Sequence, residues 1–351
     1  MRARRLTAAD LAELTTDDLL GAIVLAAVPL AGGQIRKGVR LDRTLAAALL
    51  SAGRDVRVAW ADPGDLHEDE AAGRLAHAVA GPGVNLLPPR QSRLDLSARA
   101  DGVLHVRVGP LARLNALDPL EVFTLYHGQA VTAGQVVASV KVAPHLVAES
   151  IVAQGEALAG EAAPIVDVRP YRPLEVAAIV LENLSGEALA RFEAGARTKI
   201  EALGSRFMGT VVVGGDDPAT AVPAAQQTLQ RLVVDSGIPV VLVGGVSAGD
   251  PLSPFFAALE TLGGRVLRRG VPAHPGSMIW LAELGESRLL GLPQCGMFTL
   301  ATAADLVLAR LLTGEPLTAE SLADLAHGGV LVKEMRFRLP PYARDLPAPE
   351  G

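Results

Sequence analysis

The second half of the sequence alternates short apolar runs with longer amphipathic stretches, and this alternation constrains the fold more than any other feature. From Leu174 onward "VAAIVL", "GTVVVGG" and "PVVLVGG" are typical of strands, while "GEALARFEAGARTKIEALG" and, last, "MFTLATAADLVLARLLTG" are typical of helices. Strands that are apolar throughout indicate a mainly parallel sheet covered by helices on both faces. We therefore predict a three-layer α/β/α domain over residues 171–318.

The rest of the chain follows other patterns. Residues 1–100 contain mixed α+β pieces, among them "VPLAGGQIRKGVRL", which predicts a hairpin, and "LAAALLSAG", which predicts a short helix closed by Gly53. Residues 101–170 predict a β-rich unit followed by a linker, and residues 319–351 form a C-terminal tail. The expected order is thus a mixed α+β region, a β-rich unit, an α/β domain and a tail.

Composition excludes several classes of protein. A net charge of −6 and a pI of 5.7, with scattered basic residues, argue against a nucleic-acid partner. The single cysteine, Cys295, forbids an internal disulfide and suits a reducing compartment. The apolar run from Leu19 to Leu30 follows acidic residues, contains Pro29 and is shorter than the ~20 residues that span a bilayer. We expect a cytoplasmic chain with no membrane partner.

The stretch "VLVGGVSAGDPLSP" places glycines where a predicted strand ends. In open α/β sheets ligands bind at the C-terminal ends of the strands. Gly244, Gly245 and Gly249 would bring backbone N–H groups to an anion such as a phosphate, and Ser247 adds a hydroxyl. A tight turn that needs a positive φ explains the same glycines. Asp250 either caps the following helix or binds Mg²⁺ beside a phosphate.

Three motifs, in order, give the sequence a family resemblance. "GGVSAGD" (244–250), "VPAHPGS" (271–277) and "GLPQCGMFT" (291–299) resemble Ser-Gly-Gly-Val-Ser-x-Gly, Lys-Pro-Gly-Lys and Gly-Leu-Pro-Gly-Asn-Pro of the molybdopterin-binding domain in MoeA-type molybdenum-insertion proteins. Upstream, "RLNALDPLEVFTLYHGQAVTAGQVVASVKVAP" is similar to a unit in a divergent MoeA-like subgroup, so that the likeness covers residues 100–315. It implies a role in molybdenum cofactor biosynthesis, with molybdopterin or its nucleotide form as ligand or substrate.

The resemblance also implies roles for individual residues. Asp216 and Asp250 would hold Mg²⁺ and act in catalysis, with molybdate as the second substrate. A molybdoenzyme or another cofactor-biosynthesis protein would be a partner, and a homodimer through the N-terminal region is expected, although no sequence pattern demands one. The implied ligand-binding residues are Gly244, Gly245, Val246, Ser247, Gly249, Asp250, His274, Pro275, Gly276, Pro293, Gln294, Cys295 and Gly296.

The sequence departs from the family at several of these points. Thr-Gly-Asp-Glu is replaced by "ENLSGEAL" (182–189), the two lysines by His274 and Ser277, and the asparagine of Gly-Asn-Pro is absent. Residues 316–351 are too few for the usual C-terminal β-domain. A molybdenum insertase therefore competes with a carrier, chaperone or sensor of molybdopterin that binds without turnover, and a nucleotide-hydrolysing relative is a remoter third hypothesis.

Each candidate residue also has a plain structural interpretation. Asp216 and Asp217 before a proline are an ordinary helix start, and Ser253 before Pro254 can cap the next helix in place of Asp250. His274 in a Pro-Gly turn is solvated in most proteins, although a protonated imidazole can contact a phosphate. Cys295 is either a small buried thiol or a pterin contact. "HEDE" from residue 67 is typical of a helix start more than of a metal site.

Overall fold

A computed structural model describes residues 1–90, 93–162, 164–214, 218–293, 297 and 300–346. Helices and strands are both abundant in them, which confirms a mixed α/β chain. The strands are β1 (Arg2–Leu6), β2 (Ile23–Val24), β3 (Val28–Leu30), β4 (Gly33–Ile35), β5 (Val56–Trp60), β6 (Asp65–His67), β7 (Val84–Leu86), β8 (Arg93–Ala98), β9 (Gly102–Val106), β10 (Leu120–Thr124), β11 (Ala130–Val131), β12 (Val136–Val142), β13 (Leu146–Ala148), β14 (Val166–Pro170), β15 (Glu175–Val180), β16 (Arg206–Val212), β17 (Val240–Gly244), β18 (Arg265–Arg269), β19 (Trp280–Leu284) and β20 (Ser287–Gly291).

The helices alternate with these strands most regularly in the second half. They are α1 (Ala8–Glu13), α2 (Thr16–Leu19), α3 (Arg43–Ala52), α4 (Glu68–Val79), α5 (Val108–Asn115), α6 (Glu149–Glu161), α7 (Gly186–Glu201), α8 (Pro218–Leu229), α9 (Pro254–Thr261), α10 (Ala303–Leu311), α11 (Ala319–Ala323) and α12 (Pro341–Arg344). Within the described ranges, no helix is both long and apolar enough to cross a membrane.

The chain divides into two compact units, and each is assembled from segments that are separate in the sequence. The first unit contains residues 1–98, 106–125 and 135–167. The second contains residues 99–105, 126–134 and 168–351.

The first unit is built from small antiparallel sheets. Strands β1, β5 and β2 form one, strands β10, β12, β8 and β7 form another, and helices α4 and α6 pack together beside the latter. Strands β3 and β4 form the predicted hairpin. The predicted helix before Gly53 is also confirmed: α3 ends there, with Gly53 at a φ of +57°, the left-handed region that glycine adopts without strain.

The second unit contains a six-stranded sheet in the order β16-β15-β17-β20-β19-β18. The pairs β15/β16, β15/β17 and β17/β20 are parallel, whereas β19/β20 and β18/β19 are antiparallel. Consecutive residues of β15 face opposite sides, as in any strand. Val180 lies in a buried cluster with Phe192 of α7, and Ile179 lies in a second cluster with Phe255 of α9.

The last helix of the predicted alternation starts later than the sequence pattern suggests. The apolar periodicity favours a helix from Met297, but α10 begins at Ala303. Thr302 and Asp305 form a capping box there, in which the Thr302 N–H donates to Asp305 Oδ2 at 2.8 Å and the Ala304 N–H donates to Thr302 Oγ1 at 3.2 Å. A capping box satisfies the free amides of the first helical turn, and it fixes the start of α10.

The parallel strands of the six-stranded sheet end at one edge. Val180 lies opposite both Val212 and Gly244, and Val243 lies opposite Gly291. The segments that follow β15, β17 and β20 therefore leave the sheet side by side.

Candidate functional site

A cavity of about 530 Å³ lies where these segments leave the sheet. It is lined by the residues directly after β15, β17 and β20, and by the turn between β18 and β19. The lining residues are Glu182, Gly245, Val246, Ser247, His274, Gly276, Ser277, Met278, Leu292, Pro293 and Met297.

Six of the residues predicted from the sequence line this cavity: Gly245, Val246, Ser247, His274, Gly276 and Pro293. The described lining does not include Gly244, Gly249, Asp250 or Pro275. Asp216, Asp217, Gln294, Cys295 and Gly296 lie outside the described residues. The site prediction omitted Glu182, Ser277, Met278, Leu292 and Met297. Glu182 could have been included by the rule that selected Gly245, because it too directly follows a buried strand.

Gly244 and Gly245 make room for two side chains of the site. Gly245 has a φ of +77°, and a Cβ placed on it would lie 2.7 Å from Cγ of Glu182. A Cβ on Gly244 would lie 2.7 Å from Cε of Met297. Because real Cβ atoms do not approach other atoms this closely, the glycines allow Glu182 and Met297 to pack against the loop.

The loop after β17 uses part of its hydrogen-bonding capacity internally. The Gly249 N–H donates to Ser247 Oγ at 3.1 Å, and the Asp250 N–H donates to the Ser247 carbonyl at 3.2 Å. The Leu252 N–H donates to Asp250 Oδ1 at 3.0 Å. The Gly249 amide, which the sequence suggested for an anion, is therefore already bonded, and the Asp250 carboxylate holds the turn. Helix α9 begins at Pro254 with Ser253 at the N-cap position, so Asp250 is not its N-cap.

Trp280 of β19 anchors this loop to the sheet. Its Nε1 donates to the Val246 carbonyl at 2.9 Å, and the side chain is fully buried. The Phe255 and Phe256 rings lie 5.4 and 5.1 Å from the Trp280 ring. A Cβ on Gly291 would lie 2.0 Å from Trp280 Cε2, so glycine is required beside the indole. The strand that carries Trp280 thereby fixes the position of a cavity-lining residue.

The turn between β18 and β19 is held by the segment near residue 330. The His274 N–H donates to the Gly329 carbonyl, and the Leu331 N–H donates to the His274 carbonyl, both at 2.7 Å. Gly276 has a φ of +96°, and a Cβ there would lie 2.7 Å from Cβ of Thr302. The backbone of this turn is therefore fixed, and His274, an exposed residue, is among those that line the cavity.

The described lining carries a carboxylate but no permanent cation. Glu182 is the carboxylate of the described lining. No lysine or arginine lines the cavity within the described part of the chain, and none of the residues outside that part is a lysine or an arginine. Lys199 lines a separate cleft that shares Leu292 and Met297 with the cavity, and it is paired: its Nζ donates to Asp305 Oδ1 at 2.8 Å and to the Leu300 carbonyl at 3.2 Å.

The described residues do not fit a magnesium site. They contain no group of three or more His, Cys, Asp or Glu side chains that could hold a metal ion. Asp250 does not line the cavity and its Oδ1 already accepts a backbone hydrogen bond, whereas Mg²⁺ requires several oxygen ligands in octahedral geometry. Asp216, the predicted second ligand beside Asp250, lies outside the described residues.

Comparisons with known proteins give distant likenesses only. No family model and no curated protein matches the chain. The solved structures that it resembles include the molybdopterin biosynthesis MoeA protein from Pyrococcus horikosii, with 14% identity, 74% of this chain and 80% of that chain covered, and a TM-score of 0.28. They also include two crystal forms of a NadC deletion mutant, each with 12% identity, 55% of this chain and 78% of that chain covered, and a TM-score of 0.17. Likenesses this weak carry no weight for fold or activity.

Proposed function

We propose that the chain binds molybdopterin in the cavity after β15, β17 and β20 and acts in molybdenum cofactor biosynthesis. One observation carries the proposal: the three motifs that resemble the molybdopterin-binding domain all contribute to one cavity, through Gly245–Ser247, Gly276–Ser277 and Leu292–Pro293. The volume of this cavity, about 530 Å³, lies within the roughly 300–1,000 Å³ of small-molecule sites.

The lining that the structure describes contains no lysine or arginine, and this favours binding without turnover. Enzymes that act at phosphate groups stabilise the developing charge with cations or metal ions. The second candidate function is accordingly a molybdopterin carrier, chaperone or sensor that delivers the cofactor to a molybdoenzyme or to another biosynthesis protein. The insertase hypothesis requires that Asp250 and Asp216 bind a metal ion.

Binding is tested by mass spectrometry of pterin that co-purifies with the protein. Ser247→Tyr fills the cavity, whereas Leu252→Tyr puts the same side chain on the same loop at a position that is 88% exposed and outside the lining. We expect pterin with the wild type and Leu252→Tyr and none with Ser247→Tyr. Pterin that is absent from the wild type, or present equally in all three proteins, would contradict the proposed function.

Turnover is tested by molybdate-dependent release of AMP from adenylylated molybdopterin. Asp250→Asn keeps an oxygen that can accept from the Leu252 N–H and removes the charge that a metal would need. Wild-type release that falls at least tenfold in Asp250→Asn supports the insertase. Pterin binding without any release leaves the carrier as the function and rejects the insertase.

A further inference from the structure

The cavity contains an unpaired carboxylate. Within the described part of the chain, no hydrogen-bond donor or cation pairs with the Glu182 side chain. The Cγ of Glu182 lies against the Cβ-free face of Gly245, and the Leu184 N–H donates to the backbone carbonyl of Glu182 at 3.0 Å. A carboxylate with two acceptor oxygens accepts hydrogen bonds from ligand groups that present donors.

We infer that Glu182 binds the aminopyrimidinone edge of the pterin, so that the cavity recognises the ring rather than the phosphate. This inference rests on the proposed function. A pterin presents its 2-amino group and its N3–H side by side, which matches a carboxylate as the two parallel N–H groups of a guanidinium do. The same carboxylate repels a phosphate, and among the described lining residues no lysine or arginine offsets that repulsion.

The remaining lining suits the faces of an aromatic ring. Val246, Leu292 and Pro293 supply apolar surface, and Met278 and Met297 supply thioethers. Methionine sulfur makes favourable contacts with aromatic rings and adapts to their shape. The hydroxyl of Ser277, and that of Ser247, whose oxygen already accepts from the Gly249 N–H, can donate to the polar atoms at the ring edge. Apolar walls around one carboxylate are thus complementary to a flat heterocycle with a donor edge.

The test compares unsubstituted pterin with lumazine, in which a carbonyl replaces the 2-amino group, by fluorescence titration. Wild type should bind pterin about tenfold or more tightly than lumazine, because a charged hydrogen bond is lost and two acceptors then face each other. Glu182→Gln should weaken pterin binding about tenfold or more and remove the preference. Glu182→Asp, which keeps the charge on a shorter side chain, should retain the preference at lower affinity.

Glu187→Gln is the matched control, because Glu187 lies in the first turn of α7 with its side chain 84% exposed and paired with Arg191. It should bind like the wild type. Inorganic phosphate should not compete with pterin. Equal binding of pterin and lumazine, an unchanged Glu182→Gln, or competition by phosphate would overturn the inference and leave the proposed function standing. Failure of the wild type to bind either heterocycle, together with no co-purifying pterin, would overturn both.

Discussion

Gly245 determines the position of Glu182 through the side chain that it lacks. Its φ is +77°, and an added Cβ would lie 2.7 Å from Cγ of Glu182. We predict that Gly245→Ala destabilises the protein by about 2 kcal/mol, since it combines left-handed strain with a steric contact. We also predict weaker pterin binding, because Glu182 must move. Denaturant unfolding and fluorescence titration measure the two effects.

The control variant Gly263→Ala separates the effect of left-handed backbone strain from the effect of the steric contact with Glu182. Gly263 has a φ of +80°, but a Cβ there would meet nothing within 4 Å. Strain alone should cost about 1 kcal/mol and leave pterin affinity unchanged. If Gly245→Ala and Gly263→Ala lose the same stability and the same affinity for pterin, the contact with Glu182 is unimportant.

His105 of β9 should make the protein sensitive to acid. Burial disfavours its charged form and lowers its pKa to about 3, although Glu315, whose Oε2 lies 3.3 Å from His105 Nε2, favours that form. Because the pKa of His105 in the folded protein lies below the ordinary 6.5, the unfolded chain takes up the proton first as the pH falls. The contribution of the neutral histidine to the free energy of unfolding is therefore present above pH 6.5 and is lost as the pH falls toward 3. The free energy of unfolding should fall by up to about 1.4 kcal/mol per pH unit in this range.

The measurement is the free energy of unfolding between pH 7 and pH 5 for wild type and His105→Gln, in which this contribution is absent. Carboxylates whose pKa is lowered in the folded protein, such as Glu315, also lose stabilisation in acid. The difference between the two proteins therefore isolates the histidine. His77→Gln, at an exposed position of α4, should follow the wild type. A His105→Gln slope equal to that of the wild type would refute the prediction.

At the scale of elements, the loop after β17 depends on Trp280 of β19. Trp280→Phe removes the donor to the buried Val246 carbonyl, and we predict a loss of about 2 kcal/mol together with weaker pterin binding. Trp60→Phe is the matched control, because Trp60 Nε1 also donates to a backbone carbonyl, that of Asp18, at 3.2 Å but at an exposed site. Water can replace that bond, so its loss should cost less and should not affect binding. Similar losses in both variants would contradict this role of Trp280.

The elements that could be predicted are those whose pattern is local. Strand β17 is apolar throughout, β15 is apolar after Glu175, and Gly53 closes α3 by a rule that needs only its neighbours. Gly245 and Ser247 of the cavity lining followed from the same logic, because the ends of parallel strands share an edge, whereas the family resemblance suggested His274, Gly276 and Pro293. Contacts between distant residues could not be predicted. The sequence does not show that Gly245 lies against Glu182 or that Trp280 Nε1 donates to the Val246 carbonyl.

At the scale of the whole molecule, the division into units also depends on distant contacts. Residues 99–105 and 126–134 belong to the second unit, although first-unit residues lie between them. Gly102 illustrates the cause, since a Cβ there would lie 2.1 Å from the carbonyl oxygen of Arg169. Strands β9, β11 and β14 form one sheet, and periodicity along the chain does not reveal such pairing.

Because the cavity belongs to the second unit, ligand binding should protect that unit specifically. At a free pterin concentration 100 times the dissociation constant, binding to the native state should add about 2.7 kcal/mol of stability. Hydrogen exchange should slow at the ends of β15, β17 and β20 and in the turn at residues 274–278. Ser247→Tyr, with its cavity filled, should show neither effect. Protection confined to residues 1–98, or equal protection of wild type and Ser247→Tyr, would place the ligand elsewhere. Protection at the three strand ends, lost in Ser247→Tyr, would identify the edge of the parallel strands as the binding surface.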